Sequence, residues 1–432
     1  MRSFCISILR MRSIQYLTTL VFVIIVFASV TAAQSIESLS PGKPVAISLS
    51  PGEARSFGLE MKAGDYAEIK FKADDNPEVA FGFLDASGKA LVTGNSASSN
   101  AAVFIAPKDG KYTFLVKYEP SPDASGPRKM TLEYSNKFVL PKGSKQKAVS
   151  TINGFKVRIM FVPGEDPEWG DNVVLFEKRG ALKGILRNDG NAGFTGFSFP
   201  DDPANAETPE QKKQGALLRK TADKTGDGIP DAMIDYYSGG AHCCFSTYFV
   251  NLGNTVDVVE VVNTDNATLA AIGVNPKGGL RFATNENAFA YWNISFAGSP
   301  MPEVILEFNN GELRPNFALM KKPAPTMTKL RAMAKAASRK ISNNPYTEVG
   351  MDFREAFWSE MLDLIYTGHE PLAWQYFDMV WPAKKPGKEK FKADFKEALA
   401  ESYYGTRNIN TSNSMRNSMQ LFEKIYNTMR EQ

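Results

Sequence analysis

From Ser35 to about Asn136 apolar and polar positions alternate with a period of two, the pattern of strands with one face buried. Phe57, Leu59 and Met61 form one such run, Val79, Phe81 and Phe83 a second, and Tyr112, Phe114, Val116 and Tyr118 a third. Turn formers bound them at Pro51-Gly52, Ala63-Gly64-Asp65, Asp85 to Gly88 and Lys108-Asp109-Gly110. Short strands at this spacing predict a β-sandwich of roughly eight strands over 34–136. Residues 137–153 (KFVLPKGSKQKAVSTIN) turn polar and Pro/Gly/Ser-bearing, which predicts a linker. Strands resume at Phe155 and Val173, pause in a polar excursion from Pro200 to Lys213 expected to be an exposed loop, and return before Pro323. The span 154–323 therefore reads as a second β domain.

After Thr326 the period becomes helical. Leu330, Met333, Ala337 and Ile341 make one stripe, and Phe353, Phe357, Met361 and Ile365 another. Leu372, Tyr376 and Met379 follow Pro371, which suits a first helical turn. Phe391, Phe395 and Leu399 make a fourth stripe, and Met415, Phe422, Tyr426 and Met429 a fifth. Five amphipathic helices over 326–432 predict a small bundle against the β domain. The fold class expected is thus multidomain and mainly β, with a helical C-terminal part.

The N-terminus changes the meaning of the charge. Leu17 to Val30 is an apolar run, preceded by arginines and followed by Thr31-Ala32-Ala33, which predicts a signal peptide over 1–33 cut after Ala33. The rival is a retained anchor, for which the run is short against the ~20 apolar residues of a bilayer span. Met-Arg-Ser recurs at Met1 and Met11, so Met11 is a second candidate start. Arg2, Arg10 and Arg12 are the only charges before Gln34; without them basic and acidic residues balance. A balanced chain gives no electrostatic case for nucleic acid. At 432 residues it exceeds one ordinary core.

Asp223 to Phe245 (DKTGDGIPDAMIDYYSGGAHCCF) holds the candidate chemistry. Asp223, Thr225, Asp227, Gly228 and Asp231 take positions one, three, five, six and nine of a tight loop, and the Ile229 carbonyl adds an oxygen. Calcium asks for six to eight hard oxygens, which alternate residues of a curled loop can supply. An EF-hand would need Glu at position twelve, where Ile234 stands. The competing reading is a solvated acidic turn. The loop resembles the self-contained calcium loop of integrin-type FG-GAP and VCBS repeats, and with the following SGGAHCC it is similar to secreted bacterial proteins of that class without assigned activity. Thr225 departs from the usual Asp or Asn. Ala283 to Asn293 reads as a decayed counterpart of the loop. The N-terminal words MKAGDYAEIKF, FGFLDASGKAL, APKDGKYTFLVKY and KMTLEYSN resemble the bacterial pre-peptidase C-terminal domain, which implies a noncatalytic accessory or ligand-contacting module.

Ser238, Gly239, Gly240, His242, Cys243 and Cys244 form a candidate redox or ligand surface beside that loop. Three arrangements of the adjacent cysteines stay open: a vicinal disulfide, two buried thiols, or a soft-metal site with His242. His369 is the only other histidine, and neither a Gly-x-Ser-x-Gly elbow nor a His-Glu-x-x-His motif occurs. Glu355 and Glu360 are a carboxylate pair, ordinarily solvated on a helix surface. The expectation is an exported, calcium-stabilised binding or scaffold protein of the bacterial cell envelope, periplasmic or extracellular. Its partner would be a glycan, peptide or envelope protein, with no nucleic acid and no stable membrane insertion after cleavage. The alternatives are a secreted hydrolase or protease-accessory protein, and a thiol redox or metal-binding protein centred on His242, Cys243 and Cys244.

Overall fold

The computed structural model describes residues 37–74, 77–96, 101–121, 126–164, 170–188, 193–197, 208–239, 244–341, 346, 353, 355–400 and 402. The signal segment 1–33 and the fifth helical stripe lie outside these residues. Among them, no helix is long and apolar enough to cross a membrane.

The period-two runs fold into two facing sheets. Strands β1 (Glu37–Ser38), β2 (Val45–Leu49), β3 (Ala54–Met61), β4 (Tyr66–Lys72), β5 (Val79–Leu84), β6 (Ala90–Asn95), β7 (Ala101–Ile105), β8 (Gly110–Tyr118) and β9 (Arg128–Ser135) pair in the orders β1-β3-β8-β5-β6 and β2-β9-β4-β7. Their inward faces meet in one core around Leu49, Phe57, Ile69, Phe83, Phe114 and Leu132, all fully buried. Removing such side chains from water supplies roughly 1.5–3 kcal/mol each.

Three four-stranded antiparallel meanders follow. The first is β10 (Lys145–Ile152), β11 (Phe155–Pro163), β12 (Gly170–Lys178) and β13 (Ala181–Asn188); the second is β14 (Gly193–Phe197), β15 (Asp231–Tyr237), β16 (Phe245–Leu252) and β17 (Val256–Asp265); the third is β18 (Ala270–Val274), β19 (Leu280–Asn285), β20 (Glu303–Asn309) and β21 (Glu312–Pro315). Each sheet keeps chain order, as a propeller blade does. They stack through two cores. Phe155, Val157, Val174 and Phe176 of the first meet Phe194, Ile234, Val250 and Leu252 of the second. On the second meander's other face Met233, Phe249 and Val262 meet Leu280, Phe282, Val304 and Phe308 of the third. The second sheet is therefore buried on both faces, which is why Ala232, Met233 and Ile234 run apolar without alternation.

The segment expected to be a linker is only partly one. Lys145–Ile152 is β10, an edge strand whose lysines face solvent, and edge charge made it read as connector. Phe138 and Leu140 pack on Met160, Val173 and Leu175 on the outer face of the first meander. Arg187 Nη1 donates to Glu68 Oε1 at 2.5 Å, tying β13 to β4 of the sandwich.

The excursion expected to be a loop ends in helix α1 (Pro209–Lys220). Thr208 and Gln211 form a reciprocal capping box and Pro209 opens the first turn, while only Gly215 and Leu218 are buried, so the apolar stripe was weak. Helices α2 (Phe317–Met320), α3 (Met327–Ser338), α4 (Ser359–Tyr366), α5 (Glu370–Val380) and α6 (Lys388–Ala400) complete the described chain. The second stripe is helical only from Ser359; Phe353 and Phe357 precede α4, with rings edge-on at 5.6 Å and both against Phe391. The helices are not a separate bundle. They share one apolar cluster with the third meander, where Trp292 meets Trp358 and Phe391, each at 5.2 Å. Fully buried Glu286 accepts from Tyr366 Oη at 2.9 Å, from the Ala288 amide at 2.9 Å and from the Ser402 hydroxyl.

Candidate metal centre

Residues 222–230 make a closed loop between α1 and β15. The Asp231 amide donates to Ala222 O at 2.9 Å, and the Leu252 amide donates to Pro230 O at 2.9 Å, which closes its base. Gly226 (φ 82°) and Gly228 (φ 92°) take the left-handed turns that the curl needs. Asp223 organises the interior. Its Oδ1 accepts from the amides of Gly226 (2.6 Å) and Asp227 (3.2 Å) and from Thr225 Oγ1 (3.3 Å), while Oδ2 accepts from the Gly228 amide at 2.7 Å. Asp227 Oδ1 accepts from the Ile229 amide at 2.8 Å. Its Oδ2 accepts from Asn251 Nδ2 at 2.6 Å.

Asp231 is fully buried. Its Oδ2 accepts from the amides of Lys224 (2.7 Å) and Thr225 (3.0 Å). Oδ1 has no hydrogen-bond partner, and neither does Oδ1 of buried Asn251, the residue directly opposite Asp231 across β15 and β16. Burial pushes the Asp231 carboxyl up to about 7, and the nearby charges of Asp227 and Asp223 add to this against the two amide donors. Lys224 does not neutralise it fully: burial holds its ammonium below the usual lysine range, and Nζ donates to Thr221 O at 3.0 Å.

The loop is clamped between sheets. Lys224 O accepts from the Leu280 amide at 2.8 Å. A Cβ on Gly279 would lie 2.8 Å from Gly226 N and from Thr225 C and O, so only glycine allows that approach of the β18–β19 turn. On the other side Asn153 Nδ2 donates to Leu252 O at 2.6 Å and Lys178 Nζ to Gly253 O at 3.3 Å. The β18–β19 turn thus meets the loop directly, and the β16–β17 turn beside it carries the contacts to the first meander.

The five residues expected to hold calcium are brought together as a loop, but their carboxylates face its own amides. Among the described residues, no group of three or more His, Cys, Asp or Glu side chains could hold a metal ion. A cation here needs amide and backbone oxygens as well. The two partnerless buried oxygens of Asp231 and Asn251 fit that donor chemistry, which is hard and oxygen-only. Asn251 was missed in the sequence reading, although a lone polar side chain closing the apolar run of β16 was its signal.

The expected second surface is not beside the loop. Ser238 follows the last residue of β15, at the opposite end of that strand, roughly 20 Å away by strand rise. Ser238 and Gly239 are exposed; the Cys244 amide donates to Ser238 Oγ at 2.6 Å, and the Ser238 amide to Cys244 O at 3.0 Å. Tyr237 and Phe245 stack at 4.6 Å beneath the turn. Cys244 is disulfide-bonded. Gly240, His242 and Cys243 lie outside the described residues. His369 stands at the start of α5, its Nε2 2.6 Å from Lys322 O. Glu355 pairs with Lys340 at 2.5 Å and precedes α4, whereas Glu360 lies within it. Ala283 to Asn285, expected to be part of a decayed loop, belong to β19.

No protein-family model matches the chain, and neither does any curated protein. Among solved structures it is similar to the pre-peptidase C-terminal domain of a collagenase from Bacillus anthracis, at 17% identity and TM-score 0.21, over 24% of this chain and 100% of that one. A periplasmic inhibitor of g-type lysozyme from Aeromonas hydrophila matches at 18% identity and TM-score 0.19, over 24% and 91%. A glycoside hydrolase of family 32 from Bifidobacterium adolescentis matches at 8% identity and TM-score 0.14, over 60% and 76%. At these scores none of the three says what the chain does.

Proposed function

We propose that the chain is an exported binding or scaffold protein of the bacterial cell envelope, stabilised by calcium at Asp223, Thr225, Asp227, the Ile229 carbonyl and Asp231. The observation that carries the calcium part is the Asp231 Oδ1 atom, a buried carboxylate oxygen without a partner. As a carboxylate, such an atom is costly to bury unless a cation or a proton answers it. The surface proposed for a glycan, peptide or envelope protein is the segment Ser238 to Cys244, whose described residues Ser238, Gly239 and Cys244 lie at the far end of β15. With 1–33 removed, Cys243 is the only other cysteine, and a Cys243–Cys244 disulfide would stiffen that turn. A sulfur in a disulfide offers no thiolate to zinc or copper, which disfavours the soft-metal reading.

Thermal unfolding with calcium and with chelator, alongside elemental analysis, tests the calcium part. Calcium should be found and should raise Tm by several degrees, since a ligand bound only by the folded state stabilises it. No shift, or zinc or copper in its place, would overturn the reading.

A further inference from the structure

We infer that Asn251 of β16 is itself a cation ligand, so that the calcium site is shared between the loop and the neighbouring strand. This rests on the calcium reading above and goes beyond it, because the loop's own residues were there taken as sufficient.

Asn251 has two N–H donors and one acceptor oxygen. Nδ2 is engaged by Asp227 Oδ2 at 2.6 Å, which fixes which end of the amide is oxygen: a donor must face that carboxylate. The oxygen left over is buried and has no partner. Directly across the strand pair, the Oδ1 of Asp231 is in the same state. Side chains on directly opposed residues have Cβ atoms about 5 Å apart, so both oxygens serve one small volume. Two buried acceptors in one small volume without a donor repel, and a proton, a water or a cation relieves them. Asp223 and Asp227 bring two more carboxylates to the same loop, and the Lys224 ammonium beside them, which also donates to the carbonyls of Thr221 and Ala222, offsets them only in part. That balance favours a doubly charged ion over water. Its donors are all oxygen and come from two separate strands, the adaptable geometry that calcium accepts and magnesium resists.

The consequence is mechanical. A cation held by the loop alone would stiffen only the loop. One held also by Asn251 joins the loop to the β16–β17 turn, which carries the Asn153 contact to the first meander, while Lys224 O holds the third. The ion becomes a clasp across the stack.

Calcium titration of the full chain, and terbium luminescence lifetimes in light and heavy water to count bound waters, decide the matter. Wild type should bind calcium; Asn251→Ala should bind at least tenfold more weakly, with one additional water on terbium. Asn251→Asp keeps an oxygen at the site but loses the N–H that Asp227 Oδ2 accepts, so it is read by hydration: the water count on terbium should stay at the wild-type value. Unchanged affinity and hydration in Asn251→Ala would remove Asn251 from the site and leave the loop reading standing. Wild type that binds no calcium would sink both. Should Asn251→Ala not fold, the water count in Asn251→Asp decides alone, and an additional water on terbium there would overturn the proposal.

Discussion

Asp231 is where the chemistry of one side chain reaches stability. Its carboxyl titrates near 3.8 when exposed and is pushed up to about 7 in the fold, chiefly by burial. A group whose pKa rises on folding contributes stability below its unfolded value and loses it as pH rises through the folded one. Without a cation, the protein should therefore lose stability between about pH 4 and 7 on account of this residue. Thermal melts in chelator across that range should show the fall, and Asp231→Asn should flatten it. An equal slope in the variant would assign the fall elsewhere. The loop carrying Asp223, Asp227 and Asp231 was legible in the sequence because its acidic positions and glycines follow a fixed spacing. Asn251 was not, because its role depends on register with Asp231, and a strand pairing across Ser238 to Cys244 cannot be counted along one chain.

Among the elements, the sandwich strands were legible because one wet face and one dry face leave a clean alternation. Strand β10 and helix α1 were not, for one physical reason: each lies at an edge and buries too few apolar side chains to leave a stripe. Helix α1 is specified by its ends instead. Thr208 Oγ1 accepts from the Gln211 amide at 3.2 Å, and Gln211 Oε1 accepts from the Thr208 amide at 2.9 Å. Thr208→Ala should cost about 1 kcal/mol, read by chemical denaturation, with hydrogen exchange speeding first in the opening turn. The stripe from Phe353 misled in another way. Its aromatic residues are buried as the spacing implied, but Phe391 and Trp358 hold them in a turn, so packing overrode helical period.

For the whole molecule, the sequence separated β from α and set the helices against the β domain, without showing that the two share one core. The third meander and the helices have one core, and Glu286 is its polar tie to Tyr366 and Ser402. Glu286→Ala leaves Tyr366 Oη and Ser402 Oγ with each other, 2.8 Å apart, but takes the buried carboxylate from both and from the Ala288 amide, and should cost about 1–3 kcal/mol. Faster amide exchange should then appear in α4 and β19 together, with the sandwich unchanged; exchange confined to one of the two would show that they do not open as a unit. The doubly covered second meander carries a further consequence. A ribosome delivers the chain from its N-terminus, so Met233, Phe249 and Val262 emerge while the strands that cover them, Leu280–Asn285 and Glu303–Asn309, are still unmade. For that interval the nascent chain presents a bare apolar sheet, and a holding chaperone has its reason to bind there.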